Sequence, residues 1–239
     1  MVRPSPAAQF FMPEATHFPF DLVMFDLDGT LLETVSELSD AVNDTLASLG
    51  LASVAEADVR GWIGNGIGVL LQRALAQTTG QAADQMRGSE LLAQAQQVFE
   101  RMYALRCGTN SHPYSHATEL LRRWHARGIR LAVVTNKDRH FTGLLLDHHG
   151  LSPWLHRVIG GDMVAHKKPA PDGLRDCLVH FGVAAERALF IGDSSIDVAT
   201  ARNAGVRVWA REGGYNQGQP IAASQPDRIF SDFSDLLAE

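Results

Sequence analysis

The order of apolar and polar positions along the chain predicts β-strands that alternate with α-helices. Residues 22–25 (Leu-Val-Met-Phe) are an apolar run directly ahead of turn residues, which is typical of a buried strand. Apolar residues then recur at spacings of three and four from Val35 to Leu49, and Gly50 follows, which predicts a helix with a glycine stop. Further strands are predicted at residues 131–134, 158–159, 189–191, 206–209 and 228–230.

One long segment lacks any buried-strand pattern. Between about residues 53 and 110, helical stretches at 58–62, 69–76 and 91–105 are separated by glycines. Strands that alternate with helices imply parallel pairing with right-handed crossovers. The pattern therefore predicts an α/β fold whose first strand joins the later strands in one Rossmann-like parallel sheet, with a small all-helical insert after that first strand.

Length, charge and cysteine content limit the number of domains, the classes of binding partner and the cellular compartment that we expect. The 239 residues suggest one large domain or two modest ones, and the net charge of −6 disfavours binding to nucleic acid or to an anionic membrane. Two cysteines make no disulfide framework, which favours a reducing, cytoplasmic compartment, and no apolar run is long enough to span a membrane. Residues 1–19 contain four prolines and predict a flexible extension, with a cleavable leader as the alternative.

Polar residues follow three of the predicted strands. Asp26 and Asp28 follow the first, Thr135 and Asn136 follow the second, and residues 192–197 (Gly-Asp-Ser-Ser-Ile-Asp) follow the fourth. The carboxyl ends of parallel strands form the edge of the sheet at which ligands bind. Two like charges buried together need a cation or a shared proton, so the Asp pair predicts a metal site or a catalytic dyad.

Four motifs in this order resemble the haloacid dehalogenase superfamily, and in particular its phosphatase branch. They are residues 26–30 (Asp-Leu-Asp-Gly-Thr), the pair Thr135-Asn136, the step Lys168-Pro169, and residues 192–197. The resemblance covers nearly the whole chain after about Phe20. It implies a Mg²⁺-dependent phosphomonoester hydrolase that works through an aspartyl-phosphate, with residues 20–35 and 112–239 as the α/β core and residues 36–111 as a helical cap.

The resemblance assigns a role to each acidic residue. Asp26 would be the nucleophile, and Asp28 would be the general acid and base whose backbone carbonyl also binds the metal. Asp193 would be the principal metal ligand. Asp197 would bind the metal or its waters, and a simple helix-start charge is the alternative. Lys168 would neutralise developing charge and orient Asp26.

Other roles concern the phosphate and the cap. Thr135 and Asn136 would hold the transferred phosphoryl group, and the adjacent Lys167 is expected to be solvated. In the cap, Gly64, Asn65 and Gly66 would let the backbone approach the substrate. Two arginines of the cap, Arg60 and Arg73, are candidate partners for a carboxylate of the substrate. The alternative is that both are surface residues on an amphipathic helix.

Two places depart from the usual family pattern, and both lie near the hinges of the cap. Glu33-Thr34 stands where Asp-Ser or Asp-Thr is common, and Ser115-His116 stands where a glycine-containing turn is frequent. Neither departure touches the expected chemistry, but both leave the motion of the cap less defined by the resemblance.

A narrower resemblance is to the phosphoglycolate phosphatases of this superfamily. It rests on residues 62–66 (Trp-Ile-Gly-Asn-Gly), on residues 160–162 (Gly-Gly-Asp) and on a closing segment with residues 213–216 (Gly-Gly-Tyr-Asn). It implies a small phosphorylated metabolite as substrate, 2-phosphoglycolate, and a monomer or homodimer. The alternatives are a phosphatase or phosphomutase acting on a sugar phosphate or pyrophosphate, and a non-catalytic sensor of a phosphorylated ligand.

Overall fold

A six-stranded parallel sheet forms the centre of the computed structural model, which describes residues 18–239. Residues 18–239 contain eight strands, which are β1 (Leu22–Phe25), β2 (Leu32–Glu33), β3 (His112–Pro113), β4 (Arg130–Val134), β5 (Arg157–Ile159), β6 (Ala188–Gly192), β7 (Arg207–Arg211) and β8 (Arg228–Phe230). All of them except β2 and β3 belong to this sheet. The order in the sheet is β5-β4-β1-β6-β7-β8, and every pairing in it is parallel. The predicted α/β fold is confirmed, since β1 lies between two later strands.

Nine α-helices accompany the strands in residues 18–239. They are α1 (Val35–Ser48), α2 (Glu56–Trp62), α3 (Ile67–Thr79), α4 (Ala83–Met86), α5 (Glu90–Arg106), α6 (Ala117–Ala126), α7 (Arg139–His148), α8 (Asp172–Phe181) and α9 (Ser195–Ala204). The first five follow one another without a strand of the main sheet between them, as the sequence predicts for the insert. The short helix α4 lies in a Gln/Gly/Ala-rich stretch that shows no helical periodicity.

Alternating side chains of β1 face two different layers of the core. Val23 and Phe25 belong to a buried cluster that also holds Trp124 from α6. Leu22 and Met24 face the opposite cluster, to which α8 and α9 contribute. Because both faces of this central strand are covered, its residues are continuously apolar, and its carboxyl end is held firmly where Asp26 follows.

The helical insert has a hydrophobic core of its own. This cluster includes Val42 and Leu46 of α1, Leu71 of α3 and Phe99 of α5. It also receives Phe141 from α7, at the side of the sheet domain. The boundaries predicted for a separate cap, residues 36–111, stay a prediction.

An antiparallel pair of two-residue strands joins the two points where the chain passes between the sheet and the helical insert. In it, Leu32 of β2 pairs with Pro113 of β3, and Glu33 pairs with His112. The sequence does not predict this pair, because two residues are too few for an apolar pattern. His116, just beyond β3, has a φ of +63°, a conformation that glycine adopts more readily, in agreement with the family's frequent glycine near this position.

The start of the described chain is packed into the sheet domain. Phe18 is buried with its ring centroid 4.9 Å from that of Trp124. Phe18, which the sequence places in the flexible extension of residues 1–19, is therefore packed, and residues 1–17 lie outside the described part of the chain. Within residues 18–239, no helix has the length and apolar character needed to cross a membrane.

Candidate active site

The predicted polar residues meet at the carboxyl edge of the sheet. Asp26 follows β1, Thr135 follows β4 and Asp193 follows β6. The backbone N–H of Asp26 donates to the carbonyl of Ile191 at 2.9 Å, so the residue is still held by the neighbouring strand. Parallel pairing of β1 with both β4 and β6 therefore brings together residues that are more than 100 positions apart in the sequence.

Three buried carboxylates form the centre of this edge. Asp26, Asp193 and Asp197 each offer an oxygen, and these oxygens lie within 4.8 Å of one another. Lys168 supplies the one ammonium that the structure pairs with them in residues 18–239, with Nζ 2.8 Å from Asp26 Oδ1 and 2.6 Å from Asp197 Oδ1. Three negative charges against one positive charge leave a buried excess of negative charge.

This excess perturbs the protonation of the site. Burial raises the pKa of Asp26 to about 6, although Lys168 acts in the opposite direction. Burial, together with the charges of Asp197 and Asp26, raises the pKa of Asp193 well above its ordinary value. Burial acts to lower the pKa of Lys168, but the two neighbouring carboxylates outweigh it and raise that pKa. An oxygen-only, doubly negative site of this kind suits a hard divalent cation.

Asp197 is held by a dense set of hydrogen bonds. Its Oδ2 accepts from the backbone N–H of Asp193 at 3.2 Å and from that of Ser194 at 3.1 Å, and from Ser194 Oγ at 2.6 Å. Together with Ser194 it forms a capping box at the start of α9. These contacts match the helix-start role, and Oδ1 in addition fixes Lys168, so Asp197 organises the site whether or not it also binds a metal.

Asp193 is fixed by groups from two distant segments. Its Oδ1 accepts from Thr30 Oγ1 at 2.5 Å, and its Oδ2 accepts from the backbone N–H of Tyr215 at 2.6 Å. The backbone passes so close that a Cβ at Gly29 would lie 2.5 Å from Oδ2 of Asp193, and a Cβ at Gly214 would lie 2.3 Å from its Cβ. The close approach to Asp193 thus explains the glycine at position 214, and a φ of +76° explains its neighbour Gly213.

Asp28 lies beside the cluster with a different set of partners. Its Oδ1 accepts from Thr34 Oγ1 at 2.8 Å and lies 3.1 Å from Nζ of Lys137. Lys137 directly follows the Thr135-Asn136 pair. The two acidic residues of the first motif therefore have separate cations, Lys168 for Asp26 and Lys137 for Asp28, which is consistent with separate chemical roles.

Asn136 connects three parts of the molecule. Its Nδ2 donates to the carbonyl of Gly64 in the helical insert at 2.8 Å and to the carbonyl of Lys168 at 3.0 Å. Its Oδ1 accepts from the N–H of Lys168 at 2.8 Å. Since the side chain is engaged with backbone groups, we expect it to position the lysine loop, while the neighbouring Thr135 hydroxyl remains a donor for a phosphoryl oxygen.

A cavity of about 430 Å³ opens directly above Asp26 and Asp28, between the edge of the sheet and the helical insert. Thr135, Asn136 and Lys137 line it from the sheet side. The lining from helices α1 to α5 and the loops between them consists of Leu38, Ile63, Gly64, Gly66, Ile67, Leu70, Ala93, Gln96, Gln97, Phe99, Glu100 and Tyr103. The position of this cavity makes the edge accessible to a small molecule.

The predicted substrate residues of the insert separate into two groups. Gly64 and Gly66 line the cavity, and Asn65 between them is not part of its described lining. Arg60 is also outside that lining and lies 3.3 Å from Glu33, while Arg73 donates to the carbonyl of Trp62 at 3.3 Å. The structure therefore places neither predicted arginine at the cavity wall.

The sequence indicates only some residues of the site. Lys137 has a signal, its position directly after the Thr135-Asn136 pair at the end of a strand, but that position alone assigns it no role. Lys167, which the sequence predicts to be solvated, is exposed and also lines the cavity. The contacts of Thr30 and Tyr215 with Asp193 had no signal, because they depend on loops that meet only in the folded chain.

The chain is similar to known hydrolases over most of its length. The family model described as "Haloacid dehalogenase-like hydrolase" matches residues 23–211. A phosphoglycolate phosphatase of Vibrio parahaemolyticus is 38% identical over 216 residues, which cover 90% of this chain and 94% of that protein. Phosphoglycolate phosphatase 1 of Pseudomonas aeruginosa is 40% identical over 237 residues, covering 98% of this chain and 83% of that protein.

A solved structure shares the fold closely. A protein from Haemophilus somnus 129pt, described as a predicted phosphoglycolate phosphatase, superposes with a TM-score of 0.86 at 33% sequence identity. The alignment covers 92% of this chain and 98% of that one. The similarity therefore includes the helical insert as well as the sheet.

Proposed function

The chain belongs to the haloacid dehalogenase-like hydrolases, and on that premise we propose that it hydrolyses 2-phosphoglycolate to glycolate and phosphate. It is a phosphoric monoester hydrolase by its relatives and its fold. The observation that supports this reaction is the buried group of Asp26, Asp193 and Lys168, in which Asp26 lines the cavity and the other two lie directly beside it. The relatives named for phosphoglycolate support the choice of substrate.

In the first step of the proposed reaction, Asp26 attacks the phosphorus atom. A bond forms between a carboxylate oxygen of Asp26 and phosphorus, and the bond from phosphorus to the ester oxygen breaks. Asp28 gives its proton to the departing oxygen, so glycolate leaves as the free hydroxy acid. Lys168, 2.8 Å from Asp26 Oδ1, keeps the nucleophile oriented and favours its ionised form.

In the second step, water hydrolyses the aspartyl-phosphate. Asp28, now ionised, accepts a proton from the water as its oxygen bonds to phosphorus, and the bond to Asp26 breaks. Phosphate is released, and both carboxyl groups return to their starting states. Thr135 would donate to a phosphoryl oxygen during both steps, since its hydroxyl lies at the carboxyl end of β4.

The acidic cluster fits Mg²⁺, which we propose as the cofactor. Asp26 and Asp193 with the backbone carbonyl of Asp28 would hold the ion, and Asp197 would hold it directly or act through its hydrogen bonds to the loop of Asp193. When bound, the ion would screen the negative charge of the phosphoryl oxygens from that of Asp26. The raised pKa of Asp193, caused by burial and by its acidic neighbours, supports a cation at this position.

We further propose that residues 36–111 act as a cap that closes over the substrate. The hydrogen bond from Asn136 to the carbonyl of Gly64 links the insert to the catalytic edge. A cap of this kind excludes water and selects the leaving group, while the edge beneath it performs the chemistry. A different cap surface would suit a sugar phosphate, which is the alternative substrate class.

A panel of phosphorylated metabolites tests this function. We expect phosphate release by the purified protein with Mg²⁺, and none when a chelator is in excess. Values of kcat/KM should be highest for 2-phosphoglycolate among a set that includes glucose 6-phosphate, β-glucose 1-phosphate and pyrophosphate. A clear preference for a hexose phosphate would contradict the proposed substrate, and the absence of any phosphate release would contradict the proposed reaction.

A further inference from the structure

Two positively charged side chains line the cavity in the part of the chain that the structure describes, Lys137 and Lys167. They differ in setting. Lys137 is buried, with 7% of its side chain exposed and Nζ 3.1 Å from Asp28 Oδ1. Lys167 is exposed at the mouth of the cavity. Lys168 is bonded to Asp26 and Asp197 and is not part of the lining.

The position of Lys137 is held by the surrounding structure. Its backbone carbonyl accepts from the N–H of Gly161 at 2.8 Å, and its ammonium lies 4.9 Å from the centroid of the Tyr103 ring. That ring is fixed by a hydrogen bond from the tyrosine hydroxyl to Glu37 at 3.0 Å. The ammonium is therefore presented at one place, beside the proposed general acid and facing the cavity.

Lys137 retains capacity for a second anionic partner. An ammonium has three donors, and within residues 18–239 the one carboxylate paired with Lys137 is that of Asp28. A buried cation attracts a carboxylate more strongly than a neutral hydroxyl, because water does not screen it. A substrate that brings its own carboxylate next to Asp28 would therefore be preferred.

We propose that Lys137 binds the carboxylate of the leaving group and thereby selects phosphate esters of short 2-hydroxy acids. This inference rests on the proposed function and deepens it. The ester oxygen must lie about 2.6–3.2 Å from Asp28 to receive its proton, and in glycolate the carboxylate carbon is only two bonds beyond that oxygen. An ammonium adjacent to Asp28 is thus within reach of that carboxylate.

The alternative cations are less suited to this task. Arg60 is paired with Glu33, and Arg73 with the carbonyl of Trp62, so the described structure directs neither to the cavity. Lys167 reaches the mouth, where water screens its charge. Lys137, which lies next to the reacting atoms, is therefore the cation that binds the carboxylate of the leaving group.

The test compares two substrates in four proteins. The substrates are 2-phosphoglycolate and ethyl phosphate, which has the same two-carbon chain without the carboxylate. The proteins are the wild type, Lys137→Met, Lys137→Arg and, as the matched control, Lys167→Met. For each protein, kcat/KM on 2-phosphoglycolate is divided by kcat/KM on ethyl phosphate, and inhibition constants are measured for glycolate and for phosphate.

We expect Lys137→Met to reduce this ratio at least about tenfold, because a hydrogen bond between charged groups is lost for one substrate only. Inhibition by glycolate should weaken, while inhibition by phosphate should change less. Lys137→Arg should keep most of the ratio, and so should Lys167→Met. If Lys137→Met does not fold, as judged by its melting curve, Lys137→Gln replaces it with the same expectation.

Three results would overturn the inference. Equal losses on both substrates in Lys137→Met would show that the lysine acts only through Asp28. A fall of the ratio in Lys167→Met instead would assign the carboxylate to the cavity mouth. A wild type that does not prefer 2-phosphoglycolate to ethyl phosphate would contradict the proposed function as well. Either of the first two results would contradict only the role of Lys137 and would be compatible with the proposed function.

Discussion

At the scale of single residues, the two aspartates that follow β6, Asp193 and Asp197, have different roles although both are buried. Asp193 accepts one hydrogen bond at each oxygen and faces Asp26, with no ammonium of its own in the described chain. Asp197 accepts four hydrogen bonds, one of which comes from the ammonium of Lys168. We therefore expect Asp193 to bind the cation and Asp197 mainly to organise its surroundings.

Amide substitutions separate these two duties. Asp193→Asn should raise the Mg²⁺ concentration needed for half-maximal activity by about tenfold or more, because a ligand charge is lost. Asp197→Asn should lower the melting temperature and kcat, because the buried ammonium of Lys168 loses a partner, with a smaller change in the Mg²⁺ requirement. The measurements are Mg²⁺ titrations of activity and thermal unfolding with and without Mg²⁺. An unchanged melting temperature of Asp197→Asn with an equally raised Mg²⁺ requirement would contradict this division.

At the scale of elements, the crossing between the sheet and the helical insert is held together by Glu33. Glu33 accepts from the hydroxyls of Tyr114, at 2.8 Å, and Tyr215, and it pairs with Arg60 of α2. Tyr215 also donates its backbone N–H to Asp193. One carboxylate thus connects the insert, both chain crossings and the loop that holds Asp193.

The charge of Glu33 predicts a pH-dependent contribution to stability. Burial acts to raise its pKa, but the hydrogen bonds from Tyr215, Tyr114 and the N–H of Val35, together with Arg60, lower it below its ordinary value of 4.5. A carboxyl group whose pKa is lowered by folding stabilises the native state above its unfolded pKa, and this contribution is lost as the pH falls through the folded value.

Glu33→Gln should therefore destabilise the protein by about 1–3 kcal/mol at pH 7, and the difference from the wild type should fade below about pH 4.5. Urea unfolding between about pH 3 and pH 8 measures this difference, because the contribution is lost only as the pH falls through the folded pKa, which is below 4.5. The exposed Glu212 offers a control, since Glu212→Gln should change stability by less than about 0.5 kcal/mol. A difference between Glu33→Gln and the wild type that does not vary with pH would contradict the account.

Most strands and helices were predictable from the sequence, but the shortest ones were not. The strand before Asp26, the helix that begins at Val35 and the positions of the later strands along the chain follow from the apolar pattern, and the meeting of the aspartates at one edge follows from parallel pairing. The β2–β3 pair has two residues in each strand, too few for any periodicity. The two tyrosine partners of Glu33 lie 81 and 182 positions away, so no local pattern could indicate them.

The sequence also could not indicate which lysine or arginine side chains point into the cavity. Arginines in an amphipathic helix are reasonable partners for a carboxylate, but their direction depends on how the insert sits on the sheet. The structure directs Arg60 towards Glu33 and leaves Lys137, next to a predicted motif, at the cavity wall. Tertiary contacts, rather than local sequence, determine which cation faces the cavity.

At the scale of the whole molecule, the chemistry depends on segments that are far apart in the chain. Asp26, Lys168 and Asp193 come from three separate loops, and the helical insert faces Asp26 across the cavity. The central claim is that this assembly transfers a phosphoryl group to Asp26. All other assignments, including the roles of Lys168, the cation and the cap, depend on that step.

The most direct test compares the wild type with Asp26→Asn in phosphate release from 2-phosphoglycolate with Mg²⁺. Asparagine keeps the shape of the side chain but is not a nucleophile towards phosphorus, so we expect kcat to fall by more than about 10⁴-fold. The melting curve of the variant should show a folded protein. A folded Asp26→Asn variant that retains wild-type turnover would contradict the account.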